Sequence, residues 1–308
     1  LARKGEGLVD GAISTGLMHV TDLERYNPDC IVLQRQIGDA RLEAMQRMQK
    51  FSRAFKVYEL DDYLPNLPLK SVHRKDMPKD ILRSLRRGLG FVDRFVVSTP
   101  ALAEAFAGLR GEIVVRENRL PLSWWDGLQT QRRQGKKPRV GWAGGSSHTG
   151  DLELIADVVR DLADEVEWVF FGMCPEALKP YVHEFHGGVA IEEYPAKLAS
   201  LNLDLGLAPL EHNLFNECKS NLRQLEYGAC GIPIICTDIR PYQDGQQAGL
   251  PVTLVKNRYK DWVDAIRMHI NDLDATAKMA DELQTRVKAD WMLQGEHLVR
   301  WRDAWLGR

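Results

Sequence analysis

The feature that most restricts the fold is a regular alternation of short apolar runs with segments of helical periodicity. In the first half, the apolar runs are 30–37, 56–60, 94–98 and 112–118. Helical patterns lie between or after them, at 40–55, 78–93 and 99–109. Strands separated by helices predict a parallel sheet, because the chain must cross back over the sheet before each new strand. With right-handed connections, we expect a doubly wound layer.

The same alternation restarts near residue 138. The predicted strands are 138–145, 166–172, 189–194, 203–210, 232–238 and 251–256. The predicted helices are 151–164, 195–201, 220–231 and two long closing helices at about 258–272 and 274–305. The chain therefore predicts a second α/β domain with its own parallel sheet.

A polar, basic stretch, QTQRRQGKKPR at 129–139, separates the two halves and is interpreted as a linker. It divides the 308 residues into domains at 1–128 and 140–308. The predicted fold class is α/β, with two Rossmann-like domains facing a cleft. The first domain is short or truncated, because it offers about four strands and no glycine-rich first turn. Ligands are expected beyond the carboxyl ends of the strands.

Composition excludes several other classes. A formal net charge of −2 gives no reason to expect a nucleic-acid partner. No apolar run approaches the length of a membrane span. The five cysteines show no C-x-x-C spacing, so no metal site is predicted and the thiols are expected to be reduced, as in a cytoplasmic protein.

A glycine turn follows the strand at 138–145. It contains Gly144, Gly145, Ser146 and His148, and a helix begins shortly afterwards. Backbone N–H groups in such a turn can approach a phosphate, which the helix dipole also favours. The turn lacks the G-x-G-x-x-G spacing of a nicotinamide site. A purely structural turn is the alternative interpretation.

The segment 216–233 is the most informative part of the chain. We expect Ser220 or Asn221 to cap a helix, with Lys219 at its N-terminus. A cation there opposes the helix dipole, and a bound anion would offset that cost. Glu226 is the one acid on an otherwise apolar part of this helix. The alternative is that Lys219 and Glu226 are simply solvated.

The run LEYGACGIPII, at 225–235, resembles the Leu-Glu-x-x-Ala-x-Gly-x-Pro segment of GT-B glycosyltransferases. It is most similar to the large retaining family four and its bacterial polysaccharide relatives. The turn at 140–150 matches the first donor-domain strand of that family, and 201–210 matches a later strand that ends in proline. The resemblance covers 138–256, and more loosely 56–119.

The resemblance implies that 140–308 is the nucleotide-sugar donor domain and 1–128 the acceptor-side domain. The glutamate matching Glu226 would hold the ribose. The loop before it, with Glu217, Ser220 and Asn221, would hold the diphosphate and the sugar. The first of the two glutamates typical of the family falls on Cys218, beside Glu217. The family's basic residues after the first strand are replaced here by 146–148, and Lys219 is predicted to supply that charge.

The predicted function is transfer of a sugar from a nucleoside-diphosphate sugar to an acceptor hydroxyl, in the synthesis of bacterial surface polysaccharide or glycoconjugates. No cofactor or metal is expected besides the donor. Lys219 and Asp62 are the candidate catalytic residues. Asp61 and Asp62 end a first-domain strand, where one could bind the acceptor or take its proton. Paired acids that serve only as turn residues are the alternative.

The acceptor is expected to be a saccharide, a lipid-linked molecule or a protein. Basic residues are concentrated at 70–87: Lys70, Arg74, Lys75, Lys79, Arg83, Arg86 and Arg87, against Asp76 and Asp80. They predict peripheral contact with anionic lipid at the inner face of the membrane, and a solvated helix face is the alternative. Two other functions stay open, a non-catalytic glycosyltransferase-like binding module and a sugar-nucleotide epimerase of the same fold.

Overall fold

The computed structural model describes residues 10–16, 18–68, 70, 74, 77, 78 and 80–307. The chain divides into two compact units. Unit 1 comprises Leu1–Leu67, Lys75–Glu117 and Gln294–Arg308, and unit 2 comprises Pro68–Arg74 and Asn118–Leu293. Each unit is built around one parallel β-sheet with helices packed on it, which confirms the α/β class predicted from the sequence.

Unit 1 contains a four-stranded sheet in the order β1-β2-β3-β4. Its strands are β1 (Cys30–Gln34), β2 (Phe55–Leu60), β3 (Arg94–Val97) and β4 (Ile113–Val115), and every neighbouring pair is parallel. Its first four helices are α1 (Val20–Tyr26), α2 (Asp39–Phe51), α3 (Ile81–Leu89) and α4 (Pro100–Ala105).

The helix starts in unit 1 follow local capping chemistry. Thr99 is the N-cap of α4, and its hydroxyl accepts a hydrogen bond from the Leu102 N–H at 3.1 Å. Pro100 occupies the first position of α4, as predicted, because a first-turn N–H has no helical partner to lose. Helix α3 begins later than predicted, since Asp80 caps it by accepting from the Arg83 N–H at 2.9 Å.

Unit 2 contains a six-stranded parallel sheet in the order β10-β9-β8-β5-β6-β7. Its strands are β5 (Arg139–Ala143), β6 (Glu167–Gly172), β7 (Glu184–Gly187), β8 (Leu205–Ala208), β9 (Ile234–Thr237) and β10 (Thr253–Val255). Strand order runs outward in opposite directions from the β5–β8 pair, which is the doubly wound arrangement. The place where β5 and β8 part is the topological switch point of the sheet.

Within the described residues of unit 2, nine α-helices follow in chain order. They are α5 (Leu122–Trp125), α6 (Thr149–Glu153), α7 (Ala156–Asp161), α8 (Tyr194–Ser200), α9 (Leu214–Glu217), α10 (Leu222–Ala229), α11 (Arg240–Gln247), α12 (Tyr259–Asn271) and α13 (Leu273–Asp290). One buried cluster contains Phe171 and Leu225, and a second contains Trp142, Trp168 and Trp262. The sheet therefore carries an apolar layer on both faces, as the nearly continuous apolar strands require.

The final helix, α14 (Gly295–Leu306), returns to unit 1. A guanidinium N–H of Arg94 donates to the carbonyls of Asp303 and Ala304, at 2.8 and 2.9 Å. Ala304 packs with Val57 and Val96 of the sheet. Right-handed crossovers in a sequential strand order place the connecting helices on one face, so α14 covers the other. The prediction of a doubly wound layer is therefore wrong for unit 1.

The segment 129–139 lies within unit 2 instead of between the units. Thr130 N–H donates to the Cys230 carbonyl at 2.8 Å. The N–H groups of Arg133 and Arg139 both donate to the carboxylate of Asp204, at 2.6 and 2.9 Å. The units part between Glu117 and Asn118, because these bonds tie the polar segment to the second sheet.

Three other predicted elements differ in the structure. Residues 189–193 form no strand, and β7 lies just before them. The helix predicted at 151–164 is split into α6 and α7, where the Ile155 N–H bonds to Leu152 instead of continuing the α-helical pattern. The helix predicted at 274–305 is interrupted because Leu293 N–H donates to Leu120 O at 2.8 Å. Across the described part of the chain, no helix has both the length and the apolarity of a membrane span.

Candidate functional site

The candidate site lies at the carboxyl ends of β5 and β8, where the ladder between them opens. Their paired register extends from Val140 with Leu205 to Gly141 with Gly206. Beyond this point, the chain leaves β5 through loop 144–151 and leaves β8 through loop 209–221. We call these two loops, together with α10, the switch-point site. In open α/β sheets, this is the position where ligands bind.

The glycine turn after β5 is fixed by contacts at Gly144 and is exposed at Gly145 and Ser146. Gly144 N–H donates to Phe171 O at 2.9 Å. A Cβ atom at Gly144 would lie 2.5 Å from the ring of the buried Trp142 and 2.8 Å from a guanidinium nitrogen of Arg223, so only glycine fits there. A Cβ atom at Gly145 would meet open space, and Ser146 after it is exposed. A ligand can therefore approach the backbone at Gly145 and Ser146.

Asp151 joins the two loops. Its carboxylate is 5% exposed and accepts from the Glu211 N–H at 2.7 Å and from the Asn216 side-chain amide at 3.0 Å. The Nδ1 atom of His148 lies 2.7 Å from the same carboxylate. A carboxylate pairs with a proton-bearing nitrogen, so Nδ1 carries the hydrogen and Nε2 of His148 is left as an acceptor. The sequence analysis missed Asp151, although its spacing from His148 places both on one helical turn.

His148 is neutral at physiological pH. Burial is the main reason that the pKa of His148 is lowered to about 4; the positive charges of Lys219 and Arg223 add to this effect and Asp151 opposes it. His148 therefore lies within the electrostatic reach of Lys219. The structure also adds Arg223, which the sequence analysis missed. The positive charge at this site comes from the segment before and within α10.

The start of α10 differs from its prediction. The helix begins at Leu222, and Lys219 lies before it, with its ammonium 5.2 Å from the centre of the Phe215 ring. Asn221 occupies the N-cap position, but its side chain makes no capping bond. The Ser220 hydroxyl instead accepts from the Asn118 amide at 2.9 Å. The prediction that Ser220 or Asn221 caps this helix by its side chain is therefore wrong.

Glu226 lies in a buried polar cluster with Arg223 and Tyr194. The Tyr194 hydroxyl donates to the Glu226 carboxylate at 3.1 Å, and Arg223 Nη1 lies 3.7 Å from the same oxygen. Burial raises the pKa of Glu226, while Arg223 and Tyr194 oppose that rise. Arg223 also donates to the Ala143 carbonyl at the end of β5. Glu226 is thereby linked to the glycine turn through Arg223.

Glu217 is placed against the start of α11. Its carboxylate accepts from the Arg240 N–H at 3.3 Å and lies 3.7 Å from Nδ1 of His212. Glu217, which lies one position from the first glutamate typical of the resembling family, is thus engaged with the start of α11. Among the described residues, no three His, Cys, Asp or Glu side chains form a group that could hold a metal ion.

In unit 1, the two candidate acids are held by an arginine that the sequence analysis missed. Arg35, which follows β1 with a left-handed φ of 51°, donates to Asp61 at 2.7 and 2.8 Å and to Asp62 at 2.7 Å. Asp62 is therefore an ion-paired carboxylate at the carboxyl end of β2. Near it in sequence, burial and the charge of Asp61 raise the pKa of Glu59 to about 7, a value suited to proton transfer at neutral pH.

The basic segment 70–87 is divided between the units. Lys70 belongs to unit 2 and forms an ion pair with Glu153 of α6. Arg83, Arg86 and Arg87 are exposed on α3 of unit 1. Lys75, Asp76 and Lys79 lie outside the described residues. The structure therefore describes a basic patch on α3, which we define as Arg83, Arg86 and Arg87.

No protein-family model matches the chain, and no curated protein matches it by sequence. Among solved structures, TarM superposes with a TM-score of 0.66 at 13% identity, covering 92% of this chain and 57% of TarM. Sucrose-phosphate synthase from Thermosynechococcus elongatus gives a TM-score of 0.67 at 13% identity, covering 92% of this chain and 75% of that enzyme.

HepE of Anabaena, in complex with UDP and glucose, gives a TM-score of 0.65 at 14% identity, covering 92% of this chain and 78% of HepE. These neighbours are GT-B glycosyltransferases, and the fold is the GT-B fold predicted from the sequence. The chain spans little more than half the length of TarM.

The environment of His148 predicts that its imidazole stays neutral well below pH 6. Burial in a site that also holds Lys219 and Arg223 lowers its pKa to about 4. In ¹H–¹⁵N spectra recorded from pH 7.5 to 5, the ring signals of His148 should keep the pattern of the Nδ1–H tautomer. The variant His148→Gln assigns these signals by their loss. A titration midpoint near 6.5, the value of an unperturbed histidine, would contradict the burial described here.

Proposed function

We propose that this chain is a glycosyltransferase that moves a sugar from a nucleoside-diphosphate sugar to an acceptor hydroxyl. The observation that supports it most is the convergence of two cations on an open glycine turn at the switch point. The charges of Lys219 and Arg223 both act on His148, which ends the turn that begins at Gly144. Positive charge and backbone N–H donors at one point suit the two phosphates of a donor.

In the proposed reaction, the bond between the anomeric carbon and the diphosphate oxygen breaks, and the nucleoside diphosphate leaves with that electron pair. The acceptor oxygen bonds to the anomeric carbon and loses its proton. Lys219 and the N–H groups of Gly145 and Ser146 stabilise the charge that grows on the leaving diphosphate. Glu226 holds the ribose, and Nε2 of His148 accepts a hydrogen bond from a donor hydroxyl.

The acceptor proton is proposed to pass to Asp62. Its pairing with Arg35 at 2.7 Å keeps the carboxylate in one position at the end of β2.

The remaining predicted donor-site residues, Glu217, Ser220 and Asn221, are proposed to shape loop 209–221 around the sugar. Asn221 contributes a buried side-chain amide nitrogen that has no hydrogen-bond partner among the described residues. A buried unpaired donor is costly, and a ligand oxygen would relieve that cost.

The proposed donor class is a UDP-hexose, and the proposed acceptor is a saccharide. HepE structures contain UDP-glucose, or UDP with glucose. A TarM structure contains UDP, α-GlcNAc-glycerol and fondaparinux. These neighbours support a nucleotide-sugar donor and a saccharide acceptor. A role in the synthesis of bacterial surface polysaccharide or glycoconjugates is proposed from the family-four resemblance of residues 225–235.

Nucleotide binding tests this proposal first. In a thermal-shift panel of UDP, GDP, ADP, TDP and CMP, we expect one nucleoside diphosphate to stabilise the chain. A ligand at about 100 times its dissociation constant adds about 2.7 kcal/mol to the free energy of unfolding. Glu226→Ala should weaken that nucleotide at least about tenfold, because a hydrogen bond to a charged group contributes about 1.5–3 kcal/mol.

Glu226→Gln is the matched variant for this experiment, because it keeps an acceptor for Tyr194 while removing the charge. The proposal fails if no nucleotide in the panel stabilises the wild-type chain. Turnover then separates the alternatives. A transferase consumes the donor and glycosylates an acceptor, an epimerase returns a changed nucleotide sugar, and a binding module leaves the donor intact.

Lys219→Ala should lower turnover more than it raises the apparent binding constant of the donor. The diphosphate gains charge as the glycosidic bond breaks, so a cation at this position stabilises the transition state more than the ground state. Steady-state kinetics with the donor chosen by the panel measure both quantities. Lys219→Arg should restore only part of the rate, since a planar guanidinium does not replace a compact ammonium.

Lys278→Ala is the control for the loss of a lysine, because Lys278 is exposed on α13. Near-normal turnover of the Lys219→Ala variant would exclude a catalytic role for Lys219 and assign the leaving diphosphate to backbone donors or another cation.

The basic patch on α3 is proposed to contact anionic lipid and so to bring the protein to a lipid-linked or phosphate-bearing acceptor. Each basic residue near an anionic surface contributes about 1 kcal/mol. In vesicle sedimentation at low salt, recovery with phosphatidylglycerol vesicles should exceed recovery with phosphatidylcholine vesicles. Replacing Arg83, Arg86 and Arg87 by glutamine should abolish that difference. The control replaces three exposed lysines of unit 2, Lys136, Lys137 and Lys278, and equal recovery with both vesicles excludes the contact.

A further inference from the structure

Arg223 sits directly behind the glycine turn. Its side chain is 15% exposed, and Nη1 donates to the carbonyl of Ala143, the last residue of β5. A Cβ atom at Gly144 would lie 2.8 Å from Nη2, so the guanidinium also touches the first residue of the turn. Helix α10 thereby places a cation against the segment that links β5 to the switch-point site.

The charge of Arg223 is only partly balanced within the cluster. Its nearest carboxylate oxygen, on Glu226, lies 3.7 Å away, which is beyond hydrogen-bond distance. The Tyr194 hydroxyl stands between them, accepting from Arg223 at 3.2 Å and donating to Glu226 at 3.1 Å. Burial also raises the pKa of Glu226, while Arg223 and Tyr194 oppose that rise. The guanidinium therefore lies beside the turn without a direct hydrogen bond to a carboxylate.

The positive charge of Arg223 also acts on His148, at the end of the glycine turn. Both Arg223 and Lys219 lower the pKa of His148, so their fields overlap at the end of the glycine turn. Residues 144–150 contain no lysine or arginine of their own. Positive charge reaches the turn from Arg223, on its buried side, and from Lys219, in loop 209–221.

We propose that Arg223 is the positioning residue that makes the 144–150 turn selective for a diphosphate. It holds the carbonyl of Ala143, which orients the turn's N–H groups, and it charges the turn from the buried side. This inference rests on the proposed function, because it assigns the chemical class of ligand at the same site. It predicts that Arg223 discriminates between a nucleoside diphosphate and the nucleoside alone.

The test compares binding of a nucleoside diphosphate with binding of its free nucleoside by calorimetry. The pair is UDP and uridine, or the corresponding GDP, ADP or TDP pair if the panel selects another base. In Arg223→Gln, affinity for the diphosphate should fall at least about tenfold, as expected for a charge-assisted interaction, while affinity for the nucleoside stays the same. The Arg223→Lys variant keeps the charge but loses the planar fork. Its affinity for the diphosphate should lie between those of the wild type and of Arg223→Gln.

Arg139→Gln is the matched control. Arg139 is likewise 15% exposed and paired with carboxylates, but it stands at the opposite end of β5. The Arg139→Gln variant should have a lower thermal stability than the wild type but the same ratio of diphosphate to nucleoside affinity. If Arg223→Gln does not fold, Arg223→Lys decides by the same ratio.

Equal losses for diphosphate and nucleoside would show a purely structural role for Arg223 and overturn the inference, while leaving the proposed function in place. Absence of any nucleotide binding by the wild-type chain would overturn both.

Discussion

The buried carboxylate of Asp151 is the interaction on which the switch-point site depends. A buried carboxylate needs donors for its lone pairs, and it receives them from His148, from the Glu211 backbone and from the Asn216 side chain. These donors belong to the two loops that leave β5 and β8. The loops therefore cannot move apart without exposing an unsatisfied charge. A site at a topological switch point lacks the β-ladder that fixes the rest of the sheet, and Asp151 takes over that role.

Side chains of helix α10 supply hydrogen bonds to β5 beyond the point where its pairing with β8 ends. Paired register between β5 and β8 ends at Gly141 and Gly206. Beyond that pair, the Ala143 N–H donates to the Tyr227 hydroxyl at 2.8 Å, and the Ala143 carbonyl accepts from Arg223. Both polar groups of the last residue in β5 are thus satisfied by side chains of one helix. The backbone that enters the glycine turn is held as firmly as if a strand lay beside it.

Most of the fold follows from local patterns, and its exceptions follow from long-range contacts. The alternation of apolar runs and helical periods was sufficient to predict two domains with parallel sheets, and the resemblance of residues 225–235 implied the GT-B fold. It could not show that Asp204 binds the backbone of 129–139, or that Leu120 pairs with residues near Leu293 and interrupts a helix-forming sequence. The return of α14 to unit 1 depends likewise on partners distant in sequence, such as Arg94.

The same distinction applies to the site and explains its charge. Gly144, His148 and Lys219 could be selected because each stands beside a strand end or a helix start, and Glu226 because of the family resemblance of its segment. Arg223 could not, since nothing in its own segment shows that Ala143 and Tyr194 lie against it. The turn at 144–150 contains no lysine or arginine of its own. Arg223 bonds to the Ala143 carbonyl, and its charge acts on His148 together with that of Lys219, so positive charge comes to the turn from α10 and the loop before it.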